Sequence, residues 1–190
     1  VTGHFGTLLT SPDAENWTKH ELPLVSSPPA HLFAVASNGS RWIVHAIDEG
    51  MLISDDQGQT WTLDPAANLA GFSLDVLWNG SEFVSVGGIF NEDGSEEVEA
   101  IATSPDGIDW TYRSLYTGRI LYGIGRNDLG YTAVGRDGRV MTSPDAITWT
   151  SESSRVTDRE IHALTTFGAT IVAVGGEGTI LTGLDGAAWT

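Results

Sequence analysis

Short apolar runs alternate with glycine- and asparagine-rich turns along the whole chain, and the alternation itself repeats. Ile161-His162-Ala163-Leu164 leads through a turn to Ile171-Val172-Ala173-Val174-Gly175. The same frame reads Leu121-Tyr122-Gly123-Ile124 with Tyr131-Thr132-Ala133-Val134-Gly135, and Ser73-Leu74-Asp75-Val76 with Phe83-Val84-Ser85-Val86-Gly87. It recurs as Leu32-Phe33-Ala34-Val35 with Trp42-Ile43-Val44-His45-Ala46. Runs rich in β-branched and aromatic residues, bounded by turn residues, predict strands. No window holds a 3.6-residue period, so few helices are expected.

A second pattern follows each pair of runs. It reads TLLTSPDAENWT from Thr7, MLISDDQGQTWT from Met51, AIATSPDGIDWT from Ala100, VMTSPDAITWT from Val140 and TILTGLDGAAWT from Thr179. The tryptophans, Trp17, Trp61, Trp110, Trp149 and Trp189, stand 44, 49, 39 and 40 residues apart. Eleven residues before the Trp, four copies carry Gly6, Gly50, Gly138 and Gly178, and the third carries Glu99. Four antiparallel strands in a repeat of about 40–45 residues predict the blade of a β-propeller. The expected fold is all-β: four complete four-stranded blades plus one half blade. The units cover about 1–22 (partial), 30–66, 72–115, 119–152 and 159–190 of a single domain or propeller fragment. The strands are lettered A to D from the axis outward. Asn38-Gly39 and Asn79-Gly80 suit tight A–B turns, and the Ser/Asp segments form the C–D turns.

Ser54-Asp55-Asp56-Gln57-Gly58-Gln59-Thr60-Trp61 fits the pattern S-x-D-x-G-x-x-W. In this the chain resembles the Asp-box (BNR-repeat, sialidase-like) propellers. The other four copies are one residue shorter between Ser and Trp, as in Ser104-Pro105-Asp106-Gly107-Ile108-Asp109-Trp110. That form, with its flanking VAVG frame, is similar to photosystem-II assembly-factor propellers. The resemblance covers nearly the whole chain. The physics of the motif needs no family: an Asp or Ser opening a turn accepts backbone N–H groups, Gly58, Gly107 and Gly186 permit positive φ, and each Trp is large enough to cover the gap between sheets. The structural set is therefore Ser11, Asp13, Trp17, Ser54, Asp56, Gly58, Trp61, Ser104, Asp106, Trp110, Ser143, Asp145, Trp149, Asp185 and Trp189. Gly183 replaces Ser in the last copy, and Ala14 and Ala146 replace Gly. Five equal copies are a poor way to build one active site, and no catalytic residue is assigned.

Strand parity separates two faces. In an antiparallel blade the A–B and C–D turns share one end, leaving the B–C loops and D–A connections at the other. Loops on a rigid scaffold are where function is commonly grafted. The third unit carries an insertion there, Ile89-Phe90-Asn91-Glu92-Asp93-Gly94-Ser95-Glu96-Glu97. Phe90, Glu92, Asp93, Glu96 and Glu97 are its candidate ligand residues. The EF-hand spacing fails, because Ile89 falls at the first ligand position and Ala100 at the twelfth. A solvated acidic loop is the simpler reading and a weak Ca²⁺ site the alternative; no other cofactor is expected. Asp48, Glu49, Asp137 and Glu177 should make this face acidic. Tyr122 and His162 hold equivalent strand-A positions and are candidates to line the channel. Asp75 departs from its counterparts Ala34, Gly123 and Ala163, which marks it as a channel lining or a site. The five histidines include no i,i+4 pair and no H-E-x-x-H, so no zinc site is expected. Turn chemistry accounts for the sequons at Asn38 and Asn79.

Charge narrows the partners. The 190 residues hold 25 acids against nine Lys and Arg, for a net charge of −16. No basic run offsets that, which argues against nucleic acid. No cysteine is present, so disulfides and thiolate chemistry are excluded. No stretch approaches 18 consecutive apolar residues, so no membrane span is expected. The single Lys and the Asp/Gly/Thr/Trp content suggest an extracellular or periplasmic protein. The chain opens on Val1-Thr2-Gly3 without an initiator Met or signal peptide, as a mature form or an excised piece would.

The favoured function is a non-catalytic interaction or assembly scaffold whose loop face docks a protein or glycan. The alternatives are a fragment of a sialidase- or xyloglucanase-type glycoside hydrolase, or a glycan-binding lectin. The sialidase resemblance would imply three arginines, an acid and a Tyr–Glu pair, but no R-I-P motif is present. Beyond Phe5, Phe90 and Tyr116, the sequence shows a lectin no exposed aromatics. Val1 aligns with Ala173, near the end of a B strand, so strand C around Thr7–Thr10 is expected to expose an unpaired edge open to self-association.

Overall fold

The computed structural model describes residues 1–67, 71–90, 97–117, 119–152 and 157–190, with the backbone alone at 72, 90, 97 and 115–117. It contains five antiparallel sheets in chain order. The first unit has β1 (Thr2–Gly3), β2 (Thr7–Thr10) and β3 (Thr18–Lys19). The second has β4 (Leu32–Ser37), β5 (Trp42–Ala46), β6 (Gly50–Ser54) and β7 (Thr62–Asp64). The third has β8 (Phe72–Trp78), β9 (Phe83–Phe90), β10 (Glu97–Ser104) and β11 (Thr111–Thr117). The fourth has β12 (Leu121–Asn127), β13 (Gly130–Gly135), β14 (Val140–Ser143) and β15 (Thr150–Ser151). The fifth has β16 (Ile161–Phe167), β17 (Thr170–Gly175) and β18 (Ile180–Gly183), with Trp189 bridging back to Gly183. The A strands β4, β8, β12 and β16 pack side by side in sequence, so the sheets fan outward from a common inner row. This is a propeller of four blades and a partial fifth.

Each Ser/Asp turn uses its own side chains as hydrogen-bond acceptors. In the fourth unit the Ser143 hydroxyl accepts the Ala146 N–H (2.9 Å), while Asp145 accepts those of Ile147 and Thr148 (2.9 and 2.7 Å). Asp13, Asp56, Asp106 and Asp185 accept the equivalent amides. The turn then passes through a left-handed residue in all five copies: Ala14, Gly58, Gly107, Ala146 and Gly186, with φ between 61° and 82°. The Trp three residues on folds back and donates its indole N–H to that residue's carbonyl in every copy. The left-handed residue is pressed against the preceding sheet. A Cβ on Gly107 would come within 2.6 Å of Ile43, and one on Gly186 within 2.6 Å of Thr132. Ala146 is fully buried in the cluster that joins Val84, Val86 and Ile101 to Tyr131 and Met141.

Polar ties cross each joint between units. Thr2 donates to the Phe33 carbonyl, Ser73 N–H to His45 Nδ1 (3.0 Å), and Asn127 to the carbonyls of Ala169 and Leu184. Arg41 reaches the Asp106 carbonyl, from an A–B turn to the next C–D turn, which places both turn types on one rim. Arg139 pairs with Glu99 at 2.8 Å, and the Glu99 side chain is fully buried.

Three details differ from the sequence expectation. The edge of β2 is not bare: Thr2 pairs with Leu8 and Gly3 with Thr7, and Val1 and Leu9 exchange both backbone bonds. Three residues suffice to cover most of a four-residue strand; among the described residues no strand pairs with the outer side of β1. Second, Ile89, Phe90 and Glu97 are not loop, because β9 and β10 continue their ladder through Phe90↔Glu97. An insertion that keeps hydrogen bonding lengthens a hairpin before it forms a loop. Third, Trp17 is 46 % exposed, whereas Trp61 is 9 % exposed, because among the described residues no sheet stands on the outer side of the first unit. Among the described residues no ladder joins the first and last units.

Candidate interaction face

Among the described residues, the face opposite the Ser/Asp turns is built from four B–C turns and the entries of the A strands. At the tips of those turns Phe5, Asp48, Asp137 and Glu177 all adopt left-handed backbone, with φ between 51° and 63°. Side chains with a Cβ seldom occupy that region, and repeated cases direct attention to what they present. Asp137 meets Arg119 at 3.3 Å and Glu177 meets Arg159 at 2.6 Å. Both arginines stand two residues before an A strand, so the same bridge ties turn to strand entry in successive units. Asp48 is exposed. Glu49 beside it is buried and accepts the N–H groups of Val25 and Ser26 and the Ser26 hydroxyl. Burial opposes its ionisation, but those donors outweigh it and hold its carboxyl below the usual range.

The A strands contribute a second row. Each pairs with its B strand through a register shift, at 32/35, 73/75, 121/123 and 161/163. Within these four bulges lie Phe33, Leu74, Tyr122 and His162, at equivalent positions. A bulge re-aims the side chain it carries. Tyr122 and His162 lie 5.6 Å apart between ring centres, and the Tyr122 hydroxyl is 3.5 Å from Glu160. Phe33 is 40 % exposed.

At the junction of the first two units four rings cluster: His4, Phe5, His31 and Phe33, with His4 and His31 4.5 Å apart. The two Nδ1 atoms are 3.1 Å apart, and Phe5 N–H also donates to His31 Nδ1. His31 is therefore the acceptor and His4 the donor. Sequence reasoning missed this cluster because His4 and His31 lie 27 residues apart and belong to different units.

Asp75 lies between two blades. It accepts the N–H of its neighbour Val76 and, across the joint, that of Ile124, both at 2.9 Å. Burial pushes its carboxyl up, opposed by those two amides. The backbones of Phe90 and Glu97 lie in strands and their side chains outside the described residues, as do Glu92, Asp93 and Glu96 entirely. Among the described residues no group of three metal-ligating side chains comes together.

No family model matches the chain, and no curated protein sequence matches it significantly. Solved structures do. YCF48 bound to a D1 peptide superposes with a TM-score of 0.67 at 20 % identity, over 100 % of this chain and 62 % of that one. The fold is that of a β-propeller. YCF48 from Cyanidioschyzon merolae gives 0.60 at 17 % identity, over 99 % of this chain and 64 % of that one. A GH74 xyloglucanase from Xanthomonas campestris gives 0.62 at 16 %, over 93 % of this chain and 32 % of the enzyme. The chain thus spans less than two thirds of either YCF48 chain, and identities this low carry the fold alone.

Proposed function

We propose that the chain is a non-catalytic scaffold of the Asp-box propeller type, and that its loop face docks a segment of a partner protein. The observation that carries this reading is the ring cluster of His4, Phe5, His31 and Phe33, held on the β1–β2 turn and the start of β4, with Phe5 62 % exposed. Aromatic residues are the usual anchors of protein interfaces. The likeness to YCF48, recorded with a D1 peptide, supports a peptide as the ligand class. The carboxylates near the face argue for structure over chemistry. Asp75 and Glu49 are occupied by backbone amides, and Asp137 and Glu177 by arginines. An extracellular or periplasmic setting goes with this reading, on the strength of the composition alone.

The likeness to the xyloglucanase supports a second reading, a piece of a glycoside hydrolase propeller, which would need two carboxylates flanking a sugar. One experiment separates the two. Tiled 15-residue peptides, including D1 sequences, are arrayed against the protein and against a Phe5→Asn/Phe33→Ser variant with an unchanged melting temperature, while xyloglucan is assayed for reducing-sugar release. Retention of peptides by the wild type and its loss in the variant support the scaffold. Sugar release, or retention indifferent to the variant, overturns it.

A further inference from the structure

Asn38-Gly39 and Asn79-Gly80 are the two Asn-Gly pairs of the chain, and both sit in A–B turns. Their surroundings match closely. The Asn38 side-chain oxygen accepts the Ser40 N–H and hydroxyl, both at 3.0 Å, and the Arg41 N–H at 2.7 Å. The Asn79 oxygen accepts the Ser81 N–H and the Glu82 N–H, both at 2.9 Å, and the Ser81 hydroxyl at 3.0 Å. Gly39 and Gly80 are exposed, and a Cβ on either would meet nothing within 4 Å. One bond differs. Gly39 donates its N–H to the Ser37 hydroxyl at 3.1 Å. In the third unit Trp78 holds the place of Ser37; its ring packs on Phe83, with 4.8 Å between ring centres, and an indole nitrogen can only donate.

An asparagine followed by glycine is open to attack by the chain's own backbone. The Gly nitrogen loses its proton to hydroxide and bonds to the Asn Cγ; the Cγ–Nδ2 bond breaks and ammonia leaves. Water then opens the succinimide ring, at Cγ to give aspartate or at the main-chain carbonyl carbon to give isoaspartate. No oxidant or cofactor enters. Glycine favours the step because no Cβ crowds its nitrogen. Three donors on the Asn oxygen stabilise the negative charge that builds there as the nitrogen adds, as in an oxyanion hole. The electron pair that attacks is the one the N–H proton leaves behind, so it points where that N–H points. In the second unit it points at Ser37.

We propose that Asn79 is a self-modification site that deamidates through a succinimide with Gly80, and that Ser37 protects Asn38 from the same reaction. Both products place a new carboxylate at the joint between the third and fourth units. The Asn79 carbonyl accepts the Arg126 Nη1 across that joint, and the Arg126 guanidinium lies 5.4 Å from the centre of the Tyr131 ring. The new charge therefore forms beside an arginine already held in place. In isoaspartate the chain also runs through Cβ and Cγ, which lengthens the turn that the Asn79 N–H closes onto the Glu82 carbonyl at 3.0 Å. The site lies on the Ser/Asp-turn rim, draws on neither end of the chain and does not depend on the loop-face reading.

The test incubates the folded chain at mildly alkaline pH and follows both Asn-Gly peptides by mass spectrometry after digestion. Isoaspartate is read by enzymatic methylation of its carboxylate. In the folded protein Asn79 should convert at least threefold faster than Asn38, and in concentrated urea the two rates should converge. Ser37→Ala should raise the Asn38 rate at least threefold, while Ser37→Thr, which keeps the hydroxyl, should leave it slow. A folded-state ratio below threefold, or a Ser37→Ala variant whose Asn38 stays as slow as in the wild type, overturns the proposal.

Discussion

Trp61→Ala and Trp17→Ala remove the same side chain from equivalent turns, and their costs should differ about twofold. Both indoles donate to the carbonyl three residues back, at 3.2 and 3.1 Å, so that bond cancels in the comparison. Burial does not cancel. Trp61 is 9 % exposed and packs among Leu8, Val44 and Leu52 across the first joint, whereas Trp17 is 46 % exposed. A tryptophan buries roughly 200 Å² at about 25 cal/mol per Å², so emptying the Trp61 site should cost about 5 kcal/mol, the upper end of the usual range for a large aromatic site. For Trp17 half the ring is already in water and no closed cavity forms, which reduces the cost to about 2–3 kcal/mol. Urea unfolding monitored by far-ultraviolet circular dichroism measures both. Equal losses for the two variants would refute the idea that each Trp acts by closing the gap to the preceding sheet.

Acid should unfold the protein through the Ser/Asp turns. Backbone amides hold the Asp145 and Asp185 carboxyls below their ordinary range, the Asn16 amide does so most strongly for Asp13, and the Thr60 hydroxyl and amide hold Asp56 down to about 2. A depressed folded pKa gives stability that is complete above the unfolded value near 3.9 and lost below it. The melting temperature should therefore hold to about pH 5 and fall steeply between about pH 4 and 2; a flat profile there would contradict the turn chemistry. Asp75 has the opposite sign, its carboxyl being raised, so its contribution is largest in acid and declines as pH rises through the folded value. Asp75→Ala should cost roughly 1–3 kcal/mol, since it leaves the buried Ile124 N–H without its acceptor, and the Ile124 amide should become a fast exchanger. Arg139→Met strands the fully buried Glu99 carboxylate and should cost roughly 3–5 kcal/mol. Arg139→Met/Glu99→Gln should recover most of that in the same urea assay.

Much of the fold is legible because each unit repeats its signals. Strand runs such as Tyr131–Gly135 carry their β-branched and aromatic residues in the open, and the Ser/Asp turns state their hydrogen bonding in the spacing of Asp145 and Trp149. What lies between units is less legible. Asp75 stands out by difference from Ala34, Gly123 and Ala163, but nothing in the sequence says that its partner is an amide 49 residues away. Glu99 is visible as the one departure from a row of glycines, yet its burial depends on Arg139 arriving from the next blade. The His4–His31 contact is invisible for the same reason. Aromatic exposure was hardest to read: Trp17 and Trp42 look like core residues by type, and their 46 % and 38 % exposure comes from which neighbouring sheet is present.

Amide and methyl chemical-shift mapping of a bound peptide tests the central claim most directly. A peptide selected by the array is titrated into the labelled protein and the perturbed positions are placed on the fold. The account predicts perturbations concentrated at the His4–Phe5 turn, His31, Phe33, Tyr122 and His162, on the loop face. Perturbations centred on the Ser/Asp turns around Asp106, Asp145 and Asp185, with the loop face silent, would contradict it.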